Sequence, residues 1–161
     1  MADIAVTSAD TSKVPLLAGW MADLVRHMRT VSTDVYLAEA PVLPTASWAV
    51  RFMNAVTEPQ QMLLVATLNG EPAGFLWARA MDPFIPDSKV GKVGRIDMCW
   101  VAEPARKNGV GRALVSHAES QFTRRGIRFI EANYLTDNTD AGEAWAALGF
   151  EPCRVLGRKA L

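Results

Sequence analysis

The stretch Arg106-Lys107-Asn108-Gly109-Val110-Gly111-Arg112-Ala113-Leu114 constrains this chain more than any other. Before it runs Val93 to Ala102, an apolar segment that reads as a strand and is stopped by Pro104. After it runs Val110 to Arg125, which reads as a helix with Ala113, Leu114, Ala118 and Phe122 inward and Gly126 as its stop. The chain must therefore pass from strand to helix through two glycines. A helix N-terminus carries unpaired backbone N–H groups and a partial positive charge. Glycines remove the Cβ atoms that would hold an anion away from those donors. Such a loop suits a phosphate or pyrophosphate, and Arg106 and Arg112 add charge. A plain glycine-rich helix start, with no ligand, is the structural alternative.

Two common phosphate loops are excluded. A P-loop needs Gly-Lys-Ser/Thr, and here Gly111-Arg112-Ala113 stands instead. A Rossmann loop needs GxGxxG directly after a buried strand. Leu114 holds the place of the third glycine, residues 103 to 109 separate strand from helix, and too few βα units come first. Glu131 lies at a ribose-binding distance downstream but does not rescue that pattern.

The remaining elements follow from periodicity. Asp3 to Val6 reads as a first strand. Thr11 or Ser12 caps a helix over residues 13–29, with Pro15 in its first turn and Leu17, Trp20, Met21, Leu24, Val25 and Met28 on one face. Asp34 to Glu39 reads as a short helical turn, broken by Pro41 and Pro44. Thr45 caps a second long helix carrying Trp48, Phe52, Met53 and Val56 and closed by Pro59. From Met62 the period changes: Met62 to Leu68 and Ala73 to Ala80 are strands joined by Asn69-Gly70, a hairpin signal. A loop from Met81 to Lys92 leads to the strand already described. Ile127 to Tyr134 reads as a strand, Asp140 to Ala147 as a helix ended by Gly149, and Phe150 to Leu161 as a strand that closes the sheet. Mixed strands and helices make the class α+β, or α/β with a mixed sheet.

The chain has 161 residues, with 17 Lys plus Arg against 17 Asp plus Glu. One domain, 1–161, fits that length. Balanced charge provides no basic field for nucleic acid and no polybasic patch for a membrane, so an anionic ligand needs a local site. Cys99 and Cys153 make neither a disulfide framework nor a metal-ligand spacing, so no metal is expected. The N-terminus lacks a signal-peptide pattern, and no apolar run nears the roughly 18 residues that span a bilayer. A cytoplasmic enzyme or binding domain is expected.

The loop also fits Arg/Gln-x-x-Gly-x-Gly/Ala, a coenzyme A pyrophosphate motif, and here the chain resembles the GCN5-related N-acetyltransferases (GNAT). Asn138-Thr139-Asp140-Ala141-Gly142-Glu143-Ala144-Trp145-Ala146-Ala147-Leu148-Gly149-Phe150 is similar to the family's Asn-x-x-Ala, aromatic, Gly-Phe segment. The element order agrees over nearly the whole chain. The resemblance implies a central, mixed, mostly antiparallel sheet of six to seven strands, with a V-shaped splay between the fourth and fifth strands and about four flanking helices. It implies acetyl-CoA as co-substrate and a primary amine of a small molecule or peptide as acceptor. Dimers are common in the family, so a homodimer is compatible. The strand at Cys99, Trp100 and Val101 would pair with pantetheine as an added strand does. Coenzyme A would bind through the loop Arg106, Lys107, Asn108, Gly109, Val110, Gly111, Arg112 and Ala113, with the N–H groups of Asn108 to Ala113 wrapping the pyrophosphate, and Asn138, Ala141 and Trp145 would line the pantetheine.

Acetyl transfer needs a deprotonated amine, a stabilised oxyanion and a thiolate that can leave. Asp97, four residues before Val101, is the candidate base, acting directly or through water; an ion pair with Arg95 or another cation is its structural alternative. A backbone N–H near Trp100 or Val101 would meet the oxyanion. Trp145 stands where the family commonly has a tyrosine acid, and an indole cannot give up its proton. A thiol titrating at about 8.5 can leave as thiolate; Tyr134 or Ser116 are the substitute donors. His117 reads as helix surface, Cys99 as core, and His27, Trp20 and Trp48 lie on helices that flank the acceptor in the family. Asp34, Glu39, Asp82 and Asp87 are acidic enough to attract a cation. The rival function is a non-catalytic module that binds or senses coenzyme A.

Overall fold

The sheet grows from one hairpin. In the computed structural model, which describes residues 2–41, 43–159 and 161, Asn69 and Gly70 have φ of 53° and 87°. Two consecutive left-handed residues give the tight turn that matches the twist of its strands. Those strands are β2 (Gln61–Leu68) and β3 (Glu71–Met81). β1 (Ile4–Ser8) pairs antiparallel with β2, and β4 (Val93–Val101) antiparallel with β3. β5 (Ile130–Ala132) lies parallel to β4, giving the order β1-β2-β3-β4-β5.

Helices cover both faces. α1 (Val14–Val31) and α3 (Thr45–Thr57) take one face, with the short α2 (Val35–Glu39) between them in the chain. Leu17, Met21 and Phe52 bury against Leu63, Val65 and Phe75 there, with Trp20 stacked on Phe75 and Phe52 edge-on to it. α4 (Val110–Arg124) takes the other face, packing Leu114, Val115, Ala118 and Phe122 on Leu64, Leu76 and Ile96. Alternate residues of β2 thus feed different cores, as a pleated strand requires. Each fully buried Leu or Phe contributes about 1.5–3 kcal/mol from burial alone. α5 (Thr139–Ala147) buries no residue completely.

Long elements match the periodicity within a few residues, and the differences lie at ends. Asp10, not Thr11 or Ser12, accepts the capping bond, ahead of a 3-10 turn over Thr11–Lys13. Pro44 is the N-cap of α3 and makes no side-chain bond. The sheet has five strands among the described residues, against an expected six to seven. The strand expected over Ile127 to Tyr134 shrinks to three residues because its one neighbour, β4, diverges after Ile96. No strand forms from Phe150 onward among the described residues. Phe150 packs on Trp145, and Pro152, which lacks an N–H donor, follows.

Candidate functional site

β4 ends where Ala102 donates to Ala73 O at 2.9 Å, and a 3-10 turn over Glu103–Ala105 leads into the glycine loop. Lys107 and Gly109 have φ of 63° and 87°, and Gly109 is the N-cap of α4. The N–H groups of Val110, Gly111 and Arg112 have no acceptor among the described residues. Ala113 donates to Gly109 O at 3.0 Å, so the free donors stop at Arg112 rather than including Ala113. A Cβ on Gly111 would meet nothing nearer than Val101 Cγ2 at 3.7 Å, an ordinary contact. The fold therefore needs glycine at 109, for its positive φ, but not at 111. At 111 the missing side chain leaves the free N–H groups uncovered.

The basic side chains divide their roles. Arg106 turns inward: its Nε donates to Val101 O at 3.1 Å and its guanidinium lies 4.8 Å from the Trp100 ring centroid. It braces the loop against the end of β4. Arg112 donates to Ala147 O at 3.2 Å, at the last carbonyls of α5, where a cation is favoured. Lys107 is exposed and makes no ion pair or hydrogen bond among the described residues. Asn108 donates from Nδ2 to Arg106 O at 3.0 Å and stiffens the turn.

β4 and β5 pair only through Gly94, Arg95 and Ile96 with Ile130, Glu131 and Ala132. From Asp97 to Val101, β4 pairs with no strand on that side among the described residues, so its edge is bare up to the 3-10 turn that leads into the glycine loop. β3 stays close on the other side: a Cβ on Gly74 would come within 2.5 Å of Trp100 O. A bulge falls at Asp97, because Trp77 pairs with Met98 and Ala78 with Ile96. The extra residue resets which face is which. Ile96, Cys99 and Val101 pack toward α4, while Met98 and Trp100 pack toward α1 and α3.

Asp97 sits between two guanidiniums, its side chain 18% exposed. Arg95 Nε donates to Oδ1 at 3.0 Å, and Arg79 donates from Nη2 to the same oxygen at 3.4 Å, with its Nε 2.9 Å from Oδ2 at ion-pair distance. Arg79 is the site residue that sequence reading missed. No local signal points to it: Arg79 pairs with Arg95 across β3 and β4, and two such facing cations need a carboxylate between them. Trp100 packs against the His27 ring at 5.7 Å, and its Nε1 is buried without an acceptor. Cys99 retains some surface, but desolvation of the thiol pushes it up to about 12, which keeps it protonated and inert.

Across the gap, Asn138 caps α5 by accepting from Ala141 N at 3.1 Å, which leaves its amide donors for a ligand. Trp145 is half-buried and meets Phe150 edge-on at 5.0 Å. A Cβ on Gly142 would lie 3.3 Å from the Tyr134 ring, so Tyr134 rests on α5. Ser116 is exposed on α4, and His117 contacts Gln121 one turn on. Trp20 is buried in the core, stacked on Phe75. No group of three or more His, Cys, Asp or Glu among the described residues is placed to hold a metal.

The profile of the acetyltransferase (GNAT) family matches residues 25–150. The chain belongs to the GNAT family. Among curated relatives, an uncharacterised N-acetyltransferase of Methanocaldococcus jannaschii is 29% identical over 112 residues, 69% of this chain and 47% of that protein. The aminoglycoside N(6')-acetyltransferase type 1 of Klebsiella aerogenes is 30% identical over 95 residues, 59% of this chain and 62% of that protein. The match thus spans about half to three fifths of those relatives. Solved GNAT structures share the fold over nearly full length. The aminoglycoside N-acetyltransferase AAC(6')-Iy in complex with CoA aligns with a TM-score of 0.79 at 16% identity, covering 99% of this chain and 96% of that one. A GCN5-related N-acetyltransferase of Ralstonia eutropha JMP134 aligns at 0.75 with 18% identity, covering 98% and 99%.

Proposed function

We propose that this GNAT protein transfers the acetyl group of acetyl-CoA to a primary amine of a small molecule, by direct attack in a ternary complex. The observation that carries it is the end of β4–β5 pairing at Ile96, which leaves the edge of β4 bare over Asp97–Val101, together with the unpaired N–H groups of Val110, Gly111 and Arg112 beyond it in the chain. An extended pantetheine arm can pair with the bare edge of β4 at Cys99, Trp100 and Val101, and a pyrophosphate can take the helix N-terminus. Lys107 is the cation free to neutralise that charge, with Arg106 and Asn108 shaping the loop. Asn138, Ala141 and Trp145 face the arm from α5. The relatives that act on aminoglycosides support a small-molecule acceptor over a peptide.

In this reading a neutral amine attacks the thioester carbon, the oxyanion takes a backbone N–H of the β4 edge, and the thiolate leaves without a side-chain acid. Asp97 receives the amine's proton through water. A second reading is favoured by its two arginines: Asp97 is an ion-pair hub that fixes the bulge, and water alone takes the proton. A third, a module that binds coenzyme A without turnover, needs only the loop. One experiment orders them. Acetyl-CoA is incubated with a panel of amines and free thiol is followed, alongside calorimetric titration of CoA. Thiol release dependent on an amine supports the transferase; binding without turnover on any amine supports the sensor.

A further inference from the structure

After Leu148 the chain runs to Lys159 without regular structure, and Val155 and Leu156 are each 87% exposed. Phe150 packs on Trp145, and beyond it no apolar burial holds this tail among the described residues. Two arginines four positions apart do, in matching ways. Arg154 donates from Nη2 to Glu131 Oε2 at 3.1 Å while its guanidinium carbon lies 4.6 Å from the Phe84 ring centroid. Arg158 pairs with the Asp34 carboxylate while its guanidinium carbon lies 4.3 Å from the Tyr36 ring centroid. Each cation thus meets one carboxylate and one aromatic ring. The rings are otherwise bare, Phe84 being 68% and Tyr36 59% exposed.

The cage residues come from separate parts of the chain: β5, the β3–β4 connection, and the start of α2. Glu131 pairs with Arg95 one step before the pairing of β4 and β5 ends, so the first cage lies where the two strands are still joined. Asp34 follows Thr33, whose N–H and hydroxyl both bind Asp137 at 2.9 Å, next to the Asn138 cap of α5. The second cage therefore adjoins the loop that leads into α5. A carboxylate beneath an aromatic face is chemistry that recognises an organic cation. Exposed contacts of this kind are weak, so the arginines are displaceable occupants.

We propose that the two cages are cation subsites of the acceptor pocket, filled by Arg154 and Arg158 until an amine with two or more positive charges displaces them. The cages hold the non-reacting ammonium groups, and one neutral amine is left to meet the thioester. The catalytic consequence rests on the acetyl-transfer reading; the binding does not. The test titrates spermine, with n-butylamine as the single-charge control, into the full chain without acetyl-CoA. Replacing both arginines (Arg154→Gln, Arg158→Gln) removes tethered competitors and should tighten spermine by about tenfold or more, with n-butylamine unchanged. Replacing both carboxylates (Glu131→Gln, Asp34→Asn) should weaken spermine by about tenfold or more; asparagine still caps α2. Unchanged spermine affinity in either pair, or an equal gain for n-butylamine, overturns the proposal. Spermine thiol release with acetyl-CoA is then read separately. Tight binding without turnover of spermine leaves the cages standing as cation sites and overturns their role in presenting an amine to the thioester, while the acetyl-transfer reading itself is decided by the amine panel.

Discussion

The two ends of the gap are built from different materials. At the loop end the groups proposed to bind are backbone N–H donors on α4 and the bare edge of β4, set by a positive φ at Gly109 and an absent side chain at Gly111. At the tail end the groups are side chains from distant positions: Glu131, Phe84, Asp34 and Tyr36, brought together by Arg154 and Arg158. Backbone donors cannot be swapped residue by residue, so a site made of them tolerates sequence change and serves a common co-substrate. Side-chain cages change with single substitutions, so they suit what differs between members of a family. Asp97 lies between the two ends, held by β3 on one side and its own strand on the other.

Substitutions can break this division, beginning where the effect is largest. Asp97→Asn should cut kcat/KM at neutral pH by about 10² to 10⁴, the usual cost of a lost base, with CoA affinity almost unchanged. If full kcat/KM survives from pH 6 to 9, Asp97 is the ion-pair hub alone. Gly109→Ala puts a Cβ into a left-handed residue and should cost about 1–2 kcal/mol. That is a fall of a few degrees in Tm, seen by calorimetry without any ligand. An unaltered Tm would mean that the loop relaxes and that its backbone geometry is not fixed.

Two smaller effects concern the side-chain end. The Thr33 N–H and hydroxyl hold the Asp137 carboxyl below its usual range. A depressed carboxylate stabilises the fold above its unfolded pKa, about 3.9, and loses that contribution as pH falls through the folded value. Asp137→Ala should therefore lower Tm slightly at pH 7, and the gap from the parent should close below about pH 4. A gap that persists there would assign the loss to packing. Trp145→Tyr should leave kcat nearly unchanged, because a thiolate with a pKa of about 8.5 already leaves well. A several-fold rise measured with several amines would show that protonation limits the rate.

Legibility in the sequence followed the same division. The Asn69-Gly70 turn, the face of α1 and the glycine loop could be read because each obeys a local step rule. The fifth strand was read too long because its length depends on a neighbour that departs, and nothing in Asn133 or Tyr134 records where β4 goes. The closing strand expected from Phe150 does not form among the described residues, where Phe150 turns onto Trp145 instead, a contact no step rule announces. Arg79 and the cages depend on pairings across 18 to 124 positions, such as Arg79 with Asp97 and Arg158 with Asp34. No periodicity carries such pairings. The bulge at Asp97 was hidden for the same reason, since it exists only relative to β3.

The central claim is that the emptiness at Gly111 belongs to the ligand and not to the fold. Gly111→Asp adds a Cβ where the protein has room and a negative charge where a pyrophosphate would lie. Calorimetric titration of CoA into parent and variant, with the ligand-free Tm of each, tests this directly. The account predicts a Tm close to the parent's and a dissociation constant raised at least about tenfold, roughly 1.4 kcal/mol. A folded variant that binds CoA as the parent does would contradict it.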